Sequence, residues 1–285
     1  MLLKAINYWS FPGGLEGSLS PFEAIHLAKE HGFEAIELCI GDSGTAFGTD
    51  ATEDTCTALV AEASKVGVKI ASVASGLYWD RNLADSQPEK RAQAVADLEK
   101  MIPITAWLGA KTLLTIPGAV EVFFLPERPV LSYDFVHQHA TEGLKKVLPT
   151  AETHQVRLGI ENVWNKFLLS PIEMRDFIDQ FKSPWIGAYV DVANVVPFGF
   201  AEQWIRILGP RVAGVHFKDY RKAVGTIEGF VDLLEGDVNY GEVVKALHEI
   251  GYNGPVPAEM IPGYKTNPMV RIANTSRAMD AILGR

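Results

Sequence analysis

The sequence predicts an α/β fold, a single (β/α)8 barrel spanning residues 1–285. Three observations predict it. Short apolar runs alternate with longer amphipathic stretches along the chain, the pattern of parallel β/α units. The alternation repeats eight times within 285 residues, a typical size for one such barrel. No Gly-rich phosphate turn follows the first strand, which favours a closed barrel over an open doubly wound sheet.

The candidate strands are Leu3–Tyr8, Ala35–Cys39, Lys69–Val73, Thr112–Ile116, Arg157–Glu161, Ile186–Asp191, Val212–His216 and Val256–Glu259. The helices between them carry their own punctuation. Pro21–His31 opens after Ser20, a good N-cap followed by Pro at the first helical position. Thr52–Val66 ends at Gly67. Pro88–Trp107 contains Pro103, which should kink or break it. Tyr133–Thr150, Ile172–Phe181, Ala201–Leu208, Tyr240–Ile250 and Pro268–Leu283 complete the set. Helix ends repeatedly read as Gly, short link, strand, as at Gly32, Gly67, Gly109 and Gly251. Nothing resembling a linker, a close repeat or a charge block marks a second domain.

Composition excludes several classes. With 47% hydrophobic and 21% charged residues the chain is globular in character. A net charge of −9 argues against nucleic acid as the main partner, because a phosphate backbone needs a basic footprint. Cys39 and Cys56 lie in no metal or redox spacing and are expected as reduced, packed thiols. No charged leader with an apolar core precedes the first strand and no run approaches a membrane span. The expectation is a cytoplasmic enzyme without a membrane partner, as a monomer or homo-oligomer.

Three loops are long for this architecture: 40–50, 117–131 and 221–239. Loops after strands lie over the active face of a barrel, so 117–131, with Phe123 and Phe124, reads equally as a lid and as packing. Tyr8, Trp9, Trp79 and Trp164 are candidates for an apolar wall beside a sugar, with core packing as the default for any aromatic.

The chemistry concentrates at four strand ends. The fifth ends in Glu161, the sixth in Asp191, the seventh in His216 and the eighth in Glu259, at spacings of 30, 25 and 43 residues. Any one alone is an ordinary polar strand end. Together, on consecutive strands about 5 Å apart, they converge on one small volume at the barrel mouth. Three carboxylates there would repel, and a divalent cation relieves the charge. Carboxylate oxygens with a single imidazole suit Mn2+ first, with Mg2+, Co2+ and Zn2+ as alternatives.

At these residues the chain resembles the sugar phosphate isomerase/epimerase family with the xylose-isomerase-like TIM barrel. Its relatives include D-tagatose 3-epimerase, L-ribulose- and L-xylulose-5-phosphate 3-epimerases and inosose isomerases and dehydratases. The resemblance covers essentially the whole chain. It is carried by Gly159-Ile160-Glu161-Asn162-Val163-Trp164-Asn165-Lys166-Phe167, Asp191-Val192-Ala193-Asn194 and Val215-His216-Phe217-Lys218-Asp219-Tyr220-Arg221, with Leu234–Tyr240 resembling the loop before the seventh helix.

The resemblance implies one metal on Glu161, Asp191, His216 and Glu259, with Glu161 and Glu259 doubling as acid and base. One glutamate takes the proton next to the substrate carbonyl and the other returns a proton on the opposite face, through an enediolate. The substrate is then a small sugar or sugar phosphate, and ketose 3-epimerisation is the leading activity. Dehydration or isomerisation of a cyclic polyol ketone is the alternative. A non-catalytic sugar-binding barrel and a metal-dependent endonuclease rank lower. The free-ketose 3-epimerases carry His where this chain has Asn194 and Glu where it has Phe167, so the substrate contacts differ. Lys218, Arg221, Lys166, Asn194, Trp164 and Trp9 are the candidate substrate contacts. Lys218 falls two positions beyond His216 and so on the same side of the strand.

Overall fold

The computed structural model describes residues 1–285. Eight parallel strands form one sheet: β1 (Leu3–Asn7), β2 (Ala35–Ile40), β3 (Lys69–Ser75), β4 (Thr112–Thr115), β5 (Arg157–Glu161), β6 (Ile186–Asp191), β7 (Val212–His216) and β10 (Pro255–Ala258). The two intervening labels belong to a small antiparallel hairpin, β8 (Asp219–Tyr220) with β9 (Phe230–Val231). Sequential strands pair in order, and β10 pairs with β1. The ring closes at Phe217, whose N–H donates to the Pro257 carbonyl at 2.8 Å and whose carbonyl accepts the Glu259 N–H at 3.0 Å.

Helices α1 (Pro21–Glu30), α2 (Glu53–Val66), α3 (Pro88–Trp107), α4 (Tyr133–His154), α5 (Pro171–Asp179), α6 (Ala201–Leu208), α7 (Tyr240–Glu249) and α8 (Pro268–Leu283) surround the barrel. Their inward faces and the strands share one large apolar core. The four glycines named above all adopt positive φ, between 72° and 77°, where a Cβ would be strained. Ser20 stands at the α1 N-cap position, but its side chain makes no capping bond. No helix is long and apolar enough to cross a membrane.

The sequence allowed a kink or a break at Pro103, and the break is absent. α3 runs unbroken through the proline. Proline orphans the carbonyl four residues earlier, here that of Glu99, which lies on the exposed face of the helix and not in the core. Elsewhere the strand and helix boundaries agree with the sequence reading to within a few residues.

Candidate metal centre and cavity at the barrel mouth

The strand ladder aligns Asp191 with His216, and Glu161 with Tyr189. Ligand atoms of Glu161, Asp191 and His216 lie within 4.8 Å of one another, and all three residues are buried. Asn162, the residue after Glu161, ties two of these strand ends together. Its side-chain amide donates to the Asp191 carbonyl at 2.9 Å and its amide oxygen accepts the Asp191 N–H at 2.9 Å.

The donor set fits a cation. Asp191 Oδ1 accepts the N–H groups of Ala193 and Asn194, at 2.8 and 2.9 Å, whereas Oδ2 is buried with no partner. A buried carboxylate oxygen without a donor is costly, and a divalent ion satisfies it. Burial, with the nearby Glu259 and Asp191 charges, pushes the Glu161 carboxyl up to about 7 against the opposing His216. Burial likewise raises Asp191, with Glu259 adding to it and Lys218 and His216 opposing.

His216 is held from behind. Its Nε2 lies 2.6 Å from Glu37 Oε2 on β2, and its Nδ1 lies 3.3 Å from Glu161 Oε1. Glu37 also accepts from Asn7 at 2.6 Å, Ser72 at 2.7 Å and the Tyr189 hydroxyl at 2.6 Å, and it has no exposed surface. Burial raises the Glu37 carboxyl, but His216 and these donors outweigh it and hold it below its ordinary value. With Nε2–H committed to Glu37, Nδ1 is the nitrogen left to face the carboxylate cluster. The sequence reading did not single out Glu37. Its signal was a lone acid inside the apolar run Ala35–Ile40, a buried charge that demands partners.

Glu259 sits at the same level, across the closure seam, but it is committed to Lys218, whose Nζ donates to Oε2 at 2.6 Å. Both side chains are buried. Burial pushes the Glu259 carboxyl up, and Lys218 and His216 outweigh it and hold it below its ordinary value. Lys218 Nζ also stands 4.5 Å from the centre of the Phe230 ring.

Of these groups, Glu161, Glu259 and Lys218 form part of the lining of a cavity of about 420 Å3. Trp9, Trp164, Asn194 and Lys218, four of the six sequence-derived substrate contacts, line it. Trp164 Nε1–H donates to the Asn194 carbonyl at 3.1 Å, fixing both. The other two lie elsewhere. Arg221 is exposed and donates to the Glu235 carbonyl at 3.1 Å, and Lys166 is exposed and ion-paired with Glu121. Phe167, where some relatives carry Glu, is buried against Tyr133 and Phe177. Asp219 does not pair with Lys218. Its carboxylate accepts the N–H groups of Tyr220, Leu234 and Val238 and so organises the loop after β7. Phe123 and Phe124 cover the cavity beside Trp79 and Trp164.

Comparison with known proteins agrees with this architecture. SgbU of Escherichia coli (strain K12), provisionally named an L-ribulose-5-phosphate 3-epimerase, is 26% identical over 272 residues, covering 94% of this chain and 93% of its own. The solved D-psicose 3-epimerase from Clostridium cellulolyticum H10, with D-tagatose, superposes with a TM-score of 0.79 at 17% identity, covering 99% of both chains. The IOLI protein with a bound zinc atom superposes with a TM-score of 0.78 at 14% identity, over 99% of this chain and 98% of that one. At such identities the two structures speak for the fold alone. The family model described as xylose isomerase-like TIM barrel matches residues 25–280, and the chain belongs to that family.

Proposed function

We propose that the chain is a divalent-metal-dependent sugar epimerase that inverts a carbon next to a ketone, with position 3 of a ketose as the leading site. The observation that carries this reading is the unpartnered Asp191 Oδ2 within the buried Glu161, Asp191 and His216 cluster, whose Glu161 lines the cavity at the barrel mouth. Names among the relatives, epimerases of L-ribulose 5-phosphate and D-psicose, support an isomerase-class enzyme.

Glu161, Asp191 and His216 would hold the ion, with Glu259 as the fourth ligand contributed by β10. When bound, a divalent cation supplies positive charge to the oxygens on which negative charge develops. Mn2+ is the proposed ion, because carboxylates outnumber the single imidazole. The zinc in the IOLI structure shows that this fold accommodates Zn2+ in that protein.

Glu161 ends β5, Glu259 follows β10, and both line the cavity. One removes the proton from the carbon beside the carbonyl, and the other delivers a proton to the opposite face of the planar intermediate. Lys218, bonded to Glu259 alone of the two, fixes that carboxylate and makes the pair inequivalent. Trp9 and Trp164 flank the sugar carbons, and the enclosing aromatics exclude water from the intermediate.

The test is a ketose panel in D2O with protein stripped of metal and reloaded with Mn2+. Metal-dependent appearance of the epimer, with solvent deuterium at the inverted carbon, is expected. A cyclic polyol ketone run alongside that gives a product lighter by one water identifies the dehydratase instead, and no exchange on any ketose defeats the epimerase.

A further inference from the structure

The cavity has a charge pattern that bears on its ligand. Of its lining residues only Glu161, Glu259 and Lys218 are charged, and Lys218 is already ion-paired with Glu259 at 2.6 Å and packed over the Phe230 ring face. The other basic residues suggested by the sequence are turned outward, Arg221 onto the Glu235 carbonyl and Lys166 onto Glu121. A phosphate dianion on the outer part of this space, away from the floor, would meet no unpaired cation of the protein. Desolvating it there without a paired donor is unfavourable.

The rest of the lining is largely apolar. Trp9, Trp79, Phe123, Phe124, Trp164 and Phe230 contribute six aromatic rings. At the rim, Leu15, Phe123, Phe124 and Ile227 are partly exposed, between 37% and 52%. Trp79 and Phe124 meet edge to face at 5.0 Å and form a wall shared with a second cavity of about 660 Å3. The cations bordering that second space are also spoken for, Lys90 by Asp80 at 3.0 Å and Arg128 by Asp85 at 3.2 Å. A small free ketose would occupy the polar floor and leave this outer aromatic wall in contact with water, forgoing the stabilisation that its burial would add.

We infer that the site takes an uncharged keto-sugar that carries an apolar ring or chain on an oxygen remote from the reacting carbons, and that it discriminates against sugar phosphates. The sugar end lies on the floor with Glu161, Glu259 and Asn194. The substituent packs against Trp79, Phe123 and Phe124. This rests on the reading of the floor as a keto-sugar site, and the two can fail separately.

Matched ligands test it. D-fructose, D-tagatose and D-psicose are each compared with their 6-phosphate and their 6-O-benzyl ether, so that only the group on one oxygen changes. Binding to the Mn2+-loaded protein is read from tryptophan fluorescence, because Trp9, Trp79 and Trp164 all line the cavity. For at least one sugar, the benzyl ether should bind about tenfold or more tighter than the parent ketose, as burial of an aromatic ring predicts. Its 6-phosphate should bind more weakly than the parent. Phe124→Ala, a change at a half-exposed loop position, should bring the ether's Kd back toward that of the parent. A phosphate that binds tighter than both partners overturns the inference, as does a benzyl group that adds nothing, including because a second copy of the chain covers the rim. Deuterium exchange on the same ligands separates the two readings. A phosphate that binds best and is epimerised leaves the epimerase standing and removes this inference. An ether that binds best and exchanges no proton does the reverse.

Discussion

Glu37 and His216, 179 residues apart in the chain, meet at 2.6 Å in the barrel interior with neither side chain exposed. Glu37 fixes which imidazole nitrogen is free to face Glu161, and it does so from the opposite side of the barrel. Both its oxygens are fully used, Oε2 by Asn7 and His216 and Oε1 by Ser72 and Tyr189.

Glu37→Gln should therefore lower stability and metal affinity together. An amide NH2 replaces one oxygen where two donors converge, and a buried charged partner of His216 is lost. The stability loss should be about 3 kcal/mol in urea unfolding, and Mn2+ affinity should fall about 10–100-fold in chelator competition. Wild-type values for both would show that Glu37 does not position His216.

Gly214→Ala tests the same device through packing. A Cβ at position 214 would stand 2.4 Å from a Tyr189 ring carbon and 2.6 Å from another. Tyr189 must shift, and its hydroxyl leaves Glu37. A loss of about 1–3 kcal/mol is expected from overpacking, and Mn2+ affinity should fall with it. A variant with unaltered melting and metal binding would mean that the ring is not wedged between its neighbours.

Asp191→Ala should abolish the metal-dependent gain in stability. In the wild-type protein, an ion at a hundred times its Kd adds about 2.7 kcal/mol. The variant loses the unpartnered Oδ2 and should melt at the same temperature with and without Mn2+. Full metal retention by elemental analysis would remove Asp191 from the ligand set.

Glu259→Gln separates chemistry from binding. Glutamine keeps the size and one carbonyl oxygen, still able to accept from Lys218, but it cannot carry a proton. Metal occupancy can be restored by raising the Mn2+ concentration. Turnover should stay down by about 10²–10⁴-fold. Solvent deuterium could still enter one epimer without net inversion, because proton abstraction on the other face survives. Near-normal turnover at saturating Mn2+ would leave Glu259 with no acid–base role.

The sequence by itself determined the barrel and the level of the site. Gly32, Gly67, Gly109 and Gly251 stop helices through their own backbone preference, and strand periodicity is read within a few residues. A residue that ends a barrel strand faces the mouth whatever surrounds it, so the shared level of Glu161, Asp191, His216 and Glu259 was visible from the order of strands. The partners of those groups were decided only by closing the ring. The Phe217 bonds to Pro257 and Glu259 bring Lys218 against Glu259, 41 residues away, and not against its neighbour Asp219, which the loop backbone claims. The same closure turns the middle of β2 toward β7, so that Glu37, which reads locally as one acid in an apolar strand, becomes the support of His216. Arg221 and Lys166 share the sequence segments of the site, but their turns carry them outward to Glu235 and Glu121. Spacing along a strand is local geometry and survives in the sequence. Pairing across the barrel depends on which strands become neighbours and on which donors compete for each carboxylate, and only the packed tertiary structure decides that.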